Sequence, residues 1–385
     1  MSALYLPRIV RARGGALGDL PAAMAQCGLG RALVVTDRFL LESGPVERLL
    51  AILDEAGMAA TVFADTVSDP TVAVVDAALD VLAGGGFDCV IGFGGGSPID
   101  TAKAVAALAL ERCPVSSMKV PAIVDTPGLP IIAIPTTAGT GSEATRVTII
   151  TDEISSEKML CMGLAFLPTI AILDYELTLT KPRRLTADTG IDSLTHAIEA
   201  YVSRRANAFS DAMALSAMRL IGANLRRACD EPGDHAAREA MMNGAHHGGL
   251  AFSNASVALV HGMSRPIGAL FHVPHGLSNA MLLPVVTAFS APAALPRYAA
   301  CAREMGLAGE GEGDQAAVAR LIGELRALTA HLGVPTPRCY GIAPETWAAS
   351  IPTMVEQAMA SGSPANNPRL AEPAEIAALY EQAFG

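Results

Sequence analysis

Short apolar runs alternate with helical stretches along the first 180 residues. Four runs have the length and composition of buried strands, at residues 31–36, 60–63, 89–93 and 130–134. Three segments between them repeat apolar positions at helical spacing, at residues 46–56, 71–82 and 99–110. Nearly continuous apolar strands separated by helices predict a parallel sheet that helices cover on both faces.

The pattern changes near Lys181 and Pro182, and strand-like runs nearly vanish beyond them. Five later segments show helical spacing, at residues 186–202, 211–229, 235–247, 257–271 and 316–331. A chain of 385 residues is also long for one hydrophobic core. The sequence therefore predicts an α/β domain over residues 1–181 and an all-helical domain over residues 182–385.

Composition narrows the possible functions and locations. With 51% hydrophobic and 17% charged residues, the chain can bury a large core. The net charge of −11, with no run of Lys or Arg, disfavours nucleic-acid partners. The seven cysteines are scattered and form no CxxC pair, which is typical of a reduced, cytoplasmic protein. We expect neither a secretory signal nor a membrane partner, because the required apolar stretches are missing.

A glycine-rich loop follows the third predicted strand, where residues 91–103 read IGFGGGSPIDTAK. Ser97 is suited to cap the next helix, and Pro98 is suited to its first position. Free N–H groups at such a helix start favour an anion, for instance a pyrophosphate. The spacing matches neither GxGxxG nor the P-loop, so a plain tight turn into a helix is the alternative.

A second loop follows the next predicted strand, where residues 135–143 read PTTAGTGSE. Its hydroxyl groups and glycines suit ribose and phosphate oxygens, although a loop without a ligand can have the same composition. Asp37 ends the first predicted strand, where a carboxylate can accept from a ribose 2′-OH and so favour NAD over NADP. An ordinary helix cap is the alternative for Asp37. Ligands gather at the carboxyl ends of parallel strands, which favours the binding interpretation for the loops.

Two short segments carry candidate metal ligands. Asp192 and His196 are four residues apart and so lie on one face of a predicted helix, with Glu199 available to support that face. His261 lies on a later predicted helix, and Pro274 is expected to interrupt that helix, so that His275 comes from the turn after it. For any single histidine, a hydrogen-bonded core or capping role is the alternative.

The donor set of these candidate ligands indicates which metals they suit. Imidazoles combined with a carboxylate favour Fe(II) or Zn(II), whereas Mg²⁺ and Ca²⁺ prefer oxygen ligands.

The chain resembles the iron-containing (group III) alcohol dehydrogenases, the family of lactaldehyde reductase and 1,3-propanediol dehydrogenase. Six segments carry the resemblance: GGGSPIDTAK at 94–103, PTTAGTGSE at 135–143, TGIDSLTHAIEAYVS at 189–203, AFSNASVALVHG at 251–262, HGMSRPIGALFHVPHG at 261–276 and NPRLAEPAEIAALYEQAF at 367–384. They span nearly the whole chain in order, and the combination is highly specific although no single segment is.

The resemblance implies an N-terminal dinucleotide-binding α/β domain and a C-terminal helical, metal-binding domain, the architecture of dehydroquinate synthase. It implies Asp192, His196, His261 and His275 as metal ligands. It implies coenzyme binding by a larger set, in which Lys158 would reach a ribose: Asp37, Gly94, Gly95, Gly96, Ser97, Asp100, Thr136, Thr137, Thr140, Ser142 and Lys158. NAD and Fe(II), with Zn(II) as the alternative metal, are the implied cofactors, and a homodimer is the implied assembly.

One residue departs from the family pattern. Many members carry a second histidine four residues after the third ligand, and here that position is Arg265. A histidine can relay a proton near neutral pH, whereas an arginine stays charged. We expect Arg265 to pair with an anionic group of the substrate, such as a carboxylate or phosphonate; a salt bridge to a neighbouring residue is the alternative. His272 is the candidate to replace the missing histidine, unless it is simply a surface histidine at a helix end.

The reaction implied is hydride transfer between a small primary alcohol, or hydroxy acid, and NAD, reversible as aldehyde reduction and assisted by a Lewis-acidic metal. A lyase of the dehydroquinate-synthase type, which uses NAD transiently, is one alternative. Maleylacetate reductase, which lacks the metal, is another, and the presence of Asp192 and all three histidines disfavours it. A non-enzymatic NAD-binding protein is a third, and it is disfavoured by the same residues together with both glycine-rich loops.

Overall fold

The computed structural model describes residues 3–155 and 157–385. Contacts divide these residues into two compact units, residues 3–180 and 181–385, called here the N-terminal unit and the helical unit.

The described part of the N-terminal unit contains eight strands: β1 Ile9–Ala12, β2 Arg31–Val35, β3 Ala59–Phe63, β4 Cys89–Gly94, β5 Ile131–Pro135, β6 Val147–Asp152, β7 Glu157–Met162 and β8 Ile170–Leu173. It also contains the helices α1 Leu20–Gln26, α2 Arg38–Glu42, α3 Pro45–Glu55, α4 Val72–Ala83 and α5 Gly96–Leu108. All four predicted strands and all three predicted helices are present, with ends shifted by a few residues.

Six strands form one parallel sheet in the order β1-β8-β5-β4-β2-β3. Successive side chains of a strand point to opposite faces, so Val34 lies in one hydrophobic core, while Leu33 and Val35 lie in the other. Both faces are therefore covered, which confirms the predicted fold class. The prediction missed β1 and β8, which have only four residues each, and the antiparallel β6–β7 hairpin.

The described part of the helical unit contains ten α-helices: α6 Arg183–Val202, α7 Ala208–Asp230, α8 His235–Asn254, α9 Leu259–Phe271, α10 His275–Ser290, α11 Leu295–Glu304, α12 Asp314–His331, α13 Pro337–Tyr340, α14 Pro344–Ala360 and α15 Pro373–Phe384. The five segments with helical spacing all lie on helices, which confirms the helical character of this half. Helix α6 is buried on nearly all sides, and its buried residues include the polar side chains of Asp192, His196 and Glu199.

The turn between α9 and α10 differs from the expectation. His272 ends α9 in the left-handed conformation, with φ 54°, and Pro274 caps the next helix, so that His275 is the first residue of α10. The prediction that His275 lies in the turn was therefore wrong, because His275 belongs to the helix that follows the turn. Proline cannot continue α9, but its extended backbone is compatible with the start of a new helix.

The segment 275–304 is long and apolar enough to cross a membrane by length and composition alone. Within the structure, 67% of its most apolar window is buried, and core helices of soluble proteins pass the same test.

Lys103 connects α5 to the chain that follows the second glycine-rich loop. The side chain is fully buried, and its Nζ donates to the carbonyl oxygen and Oγ1 of Thr145, at 3.0 and 2.9 Å, and to the carbonyl oxygen of Val147, at 2.8 Å. Burial lowers the pKa of Lys103 to about 8, against the opposing charges of Asp100 and Glu143. The ammonium group thereby fixes the position of α5 relative to residues 145–147.

We expect Lys103→Met to lower the denaturant concentration at which the protein unfolds, because the substitution leaves two buried acceptors and one partly buried acceptor without their donor. The loss should be about 2–4 kcal/mol. Lys119→Met is the control, since Lys119 pairs with Glu157 in an exposed ion pair worth at most about 1 kcal/mol. Equal unfolding midpoints for the two variants would contradict this role.

The pH dependence provides a second test of Lys103. Its pKa in the folded protein, about 8, lies below its ordinary value of 10.5, so the unfolded chain binds the proton more tightly between these values. The stability difference between the wild type and Lys103→Met should therefore shift in favour of the wild type as pH rises from about 8 to 10.5 and stay constant below pH 8. Denaturant titrations at pH 7, 8.5 and 10 measure this difference; a flat difference over that range would contradict it.

Candidate active site

The structure brings the four predicted metal ligands together. One donor atom each from Asp192, His196, His261 and His275 lies within 4.8 Å of the others. Helix α6 supplies the first two residues, α9 the third and the start of α10 the fourth. Asp192, His196 and His261 are buried, whereas the His275 side chain is 44% exposed, so the cluster is open on one side.

Ring stacking holds the imidazoles in place. The His196 ring lies between two other rings, with centroids 4.3 Å from Phe252 and 4.5 Å from His261, at interplanar angles of 23° and 21°. The His261 and His275 rings are tilted by 54° at 5.4 Å. Phe252 was not singled out from the sequence, because an aromatic residue on a predicted helix gives no sign of contacting a ligand histidine.

Glu199 fixes the orientation of His261. Its carboxylate accepts from the backbone N–H groups of Ala258, at 2.8 Å, and Val260, at 2.6 Å, and lies 2.7 Å from His261 Nδ1. A proton on Nδ1, donated to this carboxylate, leaves Nε2 with a free lone pair, and Nε2 lies 3.5 Å from Asp192. The expectation that Glu199 supports the ligand face thus has a geometric basis.

Asn279 is a site residue that the sequence interpretation missed. Its Nδ2 lies 2.7 Å from Asp192 Oδ1, 3.1 Å from His261 Nε2 and 3.3 Å from His275 Nε2. Its Oδ1 is buried and forms no hydrogen bond within the described ranges. Three candidate ligand atoms thus surround the electropositive Nδ2 group of Asn279. A metal cation would be attracted by the same three atoms. The only signal in the sequence is the position of Asn279 one helical turn after His275.

The cluster of candidate ligands favours positive charge. Burial alone would raise the pKa of Asp192, but the three imidazoles outweigh this effect and hold it well below its ordinary value. Burial would likewise lower the pKa of His261, but hydrogen bonds to Asp192 and Glu199 raise it to about 9. Both shifts mean that the buried carboxylates attract a cation into this cluster.

The candidate coenzyme loops lie at the carboxyl edge of the parallel sheet. Strand β2 pairs with β3 on one side and with β4 on the other, so the chain reverses its direction of travel across the sheet between β2 and β4. Asp37 follows β2 and the first glycine-rich loop follows β4, on either side of this point. Crevices at such switch points are the usual ligand sites of doubly wound sheets.

Helix α5 begins earlier than the sequence suggested. Gly95, not Ser97, is its N-cap, and Ser97 lies in the first helical turn. Gly94 has φ 155°, a conformation that glycine tolerates best, and it turns the chain directly into the helix. Since no side chain caps α5, its first N–H groups are available to an anion.

The two glycine-rich loops lie against each other. A β-carbon built on Gly96 would lie 3.0 Å from Thr140 Cγ2, and one built on Gly95 would lie 3.6 Å from Thr137 Oγ1. Thr136 is buried at the end of β5, and its N–H donates to the carbonyl oxygen of Gly94, at 2.9 Å. The structure therefore brings the predicted glycines and threonines together.

Two further predicted coenzyme residues bond to each other. Ser142 Oγ donates to Asp100 Oδ1 at 2.6 Å, and the other carboxylate oxygen of Asp100 accepts from the N–H of Ile149, at 3.0 Å. Their side chains thus connect the start of α5 to the second loop.

Asp37 and Lys158 have protein partners in the structure. Asp37 Oδ1 accepts from the N–H of Leu40, at 2.9 Å, and caps α2. Lys158, on β7, forms an ion pair with Asp69, at 2.8 Å. Neither contact tests a role with the coenzyme, so both assignments stay predictions.

Arg265 lies in the middle of α9, and His272 caps the C-terminal end of this helix. Arg265 is partly buried, and within residues 3–155 and 157–385 its guanidinium makes neither an ion pair nor a hydrogen bond. His272 is exposed at the C-terminal end of α9. Proton transfer by His272 stays a prediction, as does substrate binding by Arg265.

Comparison with known proteins identifies the family. The model described as iron-containing alcohol dehydrogenase matches residues 7–175, and the C-terminal model of the Fe-containing alcohol dehydrogenase family matches residues 186–384. Lactaldehyde reductase of Escherichia coli (strain K12) is 37% identical over 373 residues, 96% of either chain.

Solved structures are similar over the full length. A structure of 1,3-propanediol oxidoreductase has a TM-score of 0.95 at 34% identity and covers 100% of both chains. Sulfoacetaldehyde reductase from Bifidobacterium kashiwanohense, in complex with NAD⁺, has a TM-score of 0.90 at 28% identity and covers 100% of this chain and 99% of the other. The resemblance inferred from the motifs is confirmed, and the chain belongs to the iron-containing alcohol dehydrogenase family.

Proposed function

We propose that this chain is an NAD-dependent, metal-dependent alcohol dehydrogenase, which transfers hydride between a small primary alcohol or hydroxy acid and NAD and also reduces the aldehyde. The observation that carries the proposal is the buried cluster of Asp192, His196, His261 and His275 within 4.8 Å, in a member of the iron-containing alcohol dehydrogenase family. We assign coenzyme binding to residues 1–181 and metal binding to residues 182–385.

The donor set fits a divalent transition metal. Three imidazoles and one carboxylate suit Fe(II), with Zn(II) as the alternative, and the convergence of three of these groups on Asn279 Nδ2 supports a cation at this point. When bound, such a metal acts as a Lewis acid that lowers the pKa of an alcohol or polarises a carbonyl. Glu199 keeps Nε2 of His261 available as a ligand, and the exposed edge at His275 leaves room for the substrate.

The coenzyme assignment rests on the carboxyl edge of the sheet. The uncapped N–H groups of Gly96 and Ser97 would bind the pyrophosphate of NAD, and Thr137 and Thr140 would lie along the coenzyme. Asp37 has one carboxylate oxygen outside its helix cap, which would accept from a ribose 2′-OH and repel a 2′-phosphate.

The alternative reactions are less well supported. A lyase of the dehydroquinate-synthase type would consume its substrate without net NADH formation, and the family of this chain favours the dehydrogenase. A maleylacetate-reductase-like enzyme has no need for the metal, whereas here the four candidate ligands lie within 4.8 Å of one another and Glu199 orients His261.

A cytoplasmic homodimer completes the proposal. All seven cysteines are free, as a reducing compartment maintains them. Strand β1 is an edge of the sheet and exposes Val10, so it offers unpaired backbone groups to a second copy of the chain.

Removal of the metal should abolish activity. Protein treated with a chelator should lose alcohol-dependent NADH formation, followed at the NADH absorbance band, and should regain it with Fe(II) or Zn(II) but not with Mg²⁺, which suits this donor set poorly. Full activity of protein shown to be metal-free by elemental analysis would exclude the metal-dependent reaction.

Glu199→Gln should weaken metal binding by about 10- to 100-fold. Glu199 faces three donors, the N–H groups of Ala258 and Val260 and His261 Nδ1. The N–H₂ group of glutamine would face one of them, and the repulsion between two donors would misorient His261. Competition with a chelator of known affinity measures the change. Glu304→Gln is the control, because Glu304 pairs with Arg219 at 2.5 Å elsewhere in the helical unit and should bind metal like the wild type. Equal affinity for the two variants would refute the role of Glu199.

Asp37→Ser should shift coenzyme preference toward NADP. Removing the carboxylate removes repulsion of a 2′-phosphate, so the ratio of kcat/KM for NADP to that for NAD should rise by about tenfold. Asp54→Ser, on the exposed surface of α3, is the control. An unchanged ratio in Asp37→Ser would mean that Asp37 only caps α2.

A further inference from the structure

Arg265 lies on the same face of α9 as the candidate ligand His261. It follows His261 by one helical turn, which corresponds to about 6 Å along the helix axis. The carboxylate whose charge acts on it is Glu199, the partner of His261 Nδ1. The guanidinium therefore belongs to the neighbourhood of the candidate metal centre.

Among the residues that the structure describes, the Arg265 guanidinium has no ion-pair or hydrogen-bond partner. Other arginines of the helical unit form ion pairs, namely Arg226 with Glu324, Arg303 with Asp314 and Arg369 with Glu375. Arg265 forms none with any residue that the structure describes, although it is mostly removed from water. Burial is also the main cause that lowers its pKa, against the charge of Glu199.

Glu199 forms no ion pair with Arg265 in the described structure. Its two oxygens already accept from Ala258 and Val260 and contact His261. A guanidinium has five N–H donors, and desolvating them without acceptors costs free energy. Planar guanidinium groups match the two oxygens of carboxylates, and also sulfonates and phosphonates, through paired hydrogen bonds.

We propose that Arg265 binds an anionic group of the substrate, so that the preferred substrate is a short aldehyde, or the corresponding alcohol, that carries an acidic group. The inference rests on the proposed function, since it places the reacting carbon at the cluster that contains His261. The short distance from His261 to Arg265 along α9 limits the acidic group to a few bonds from the reacting carbon. Arg265 is then the residue that determines specificity.

Matched four-carbon substrates test the proposal. With metal-loaded protein and NADH, the ratio of kcat/KM for succinic semialdehyde to that for butanal should exceed about 10 in the wild type and fall by about 100-fold in Arg265→Met. The ratio for Arg265→Lys should lie between those of the wild type and Arg265→Met, because lysine keeps the positive charge but lacks the planar pair of N–H donors. Arg265→His should prefer butanal. Sulfoacetaldehyde, compared with propanal, distinguishes a sulfonate from a carboxylate as the preferred anion.

The control is Arg326→Met, an exposed arginine of α12 that is distant in sequence from every candidate ligand; it should keep the wild-type ratio. A wild type that reduces butanal as well as or better than both acidic aldehydes would overturn the inference and leave the proposed dehydrogenase intact. The same holds if Arg265→Met retains the wild-type ratio.

Ligand binding measured without turnover tests the anion site at Arg265 separately from the proposed dehydrogenase activity. Calorimetry on metal-loaded protein with NAD should show that succinate binds at least about tenfold more tightly than butyrate, and that Arg265→Met removes this difference. The second carboxylate is the only group that distinguishes the two probes. Tighter binding of succinate with no reduction of any aldehyde would reject the dehydrogenase and retain the anion site, whereas equal binding of both probes by the wild type would reject the anion site.

Discussion

The contact between Glu199 and the start of α9 is the interaction on which the candidate metal centre depends. One carboxylate accepts from the N–H groups of Ala258 and Val260 and orients His261. It thus joins α6, which carries Asp192 and His196, to the helix that carries the third ligand. If Glu199 were apolar, buried N–H groups at the helix start would lose their acceptor, at about 1–3 kcal/mol each, and the imidazole would be free to rotate.

Close approach of α10 to α6 brings in the fourth ligand. A β-carbon at Gly276 would collide with the carbonyl oxygen of Asp188, so only glycine allows the two backbones to meet here. Pro274 is the N-cap of α10, so His275 lies on the first turn of this helix. Ring stacking of His196 with Phe252 and His261 then restricts the remaining freedom. The ligand geometry is therefore set by helix packing and not by the flexible chain between elements.

Sequence reasoning was most successful where the chemistry follows a local period. Asp192 and His196 are brought together by helical spacing alone, whereas His261 and His275 required the family pattern, because tertiary packing brings them to α6. Asn279 and Phe252 were missed, since an amide and an apolar ring carry no ligand signal until their neighbours are known. Strands β1 and β8 are too short for their four residues to show a period. The start of α5 was misplaced because the conformation of Gly94, and not the capping tendency of Ser97, determines where the helix begins.

Charge balance connects Arg265 to the rest of the centre. The negative charges of Asp192 and Glu199 equal the charge of one divalent metal, so a site completed by a neutral histidine would be balanced and suited to a neutral alcohol. Arginine at this position adds one positive charge in a mostly buried environment, where an uncompensated charge is costly. An anionic substrate restores the balance, and it does so next to the reacting carbon, where the charge contributes to orientation as well as to affinity. One substitution on a single face of α9 would therefore change the class of substrate while leaving the fold and the candidate metal ligands as they are in the family.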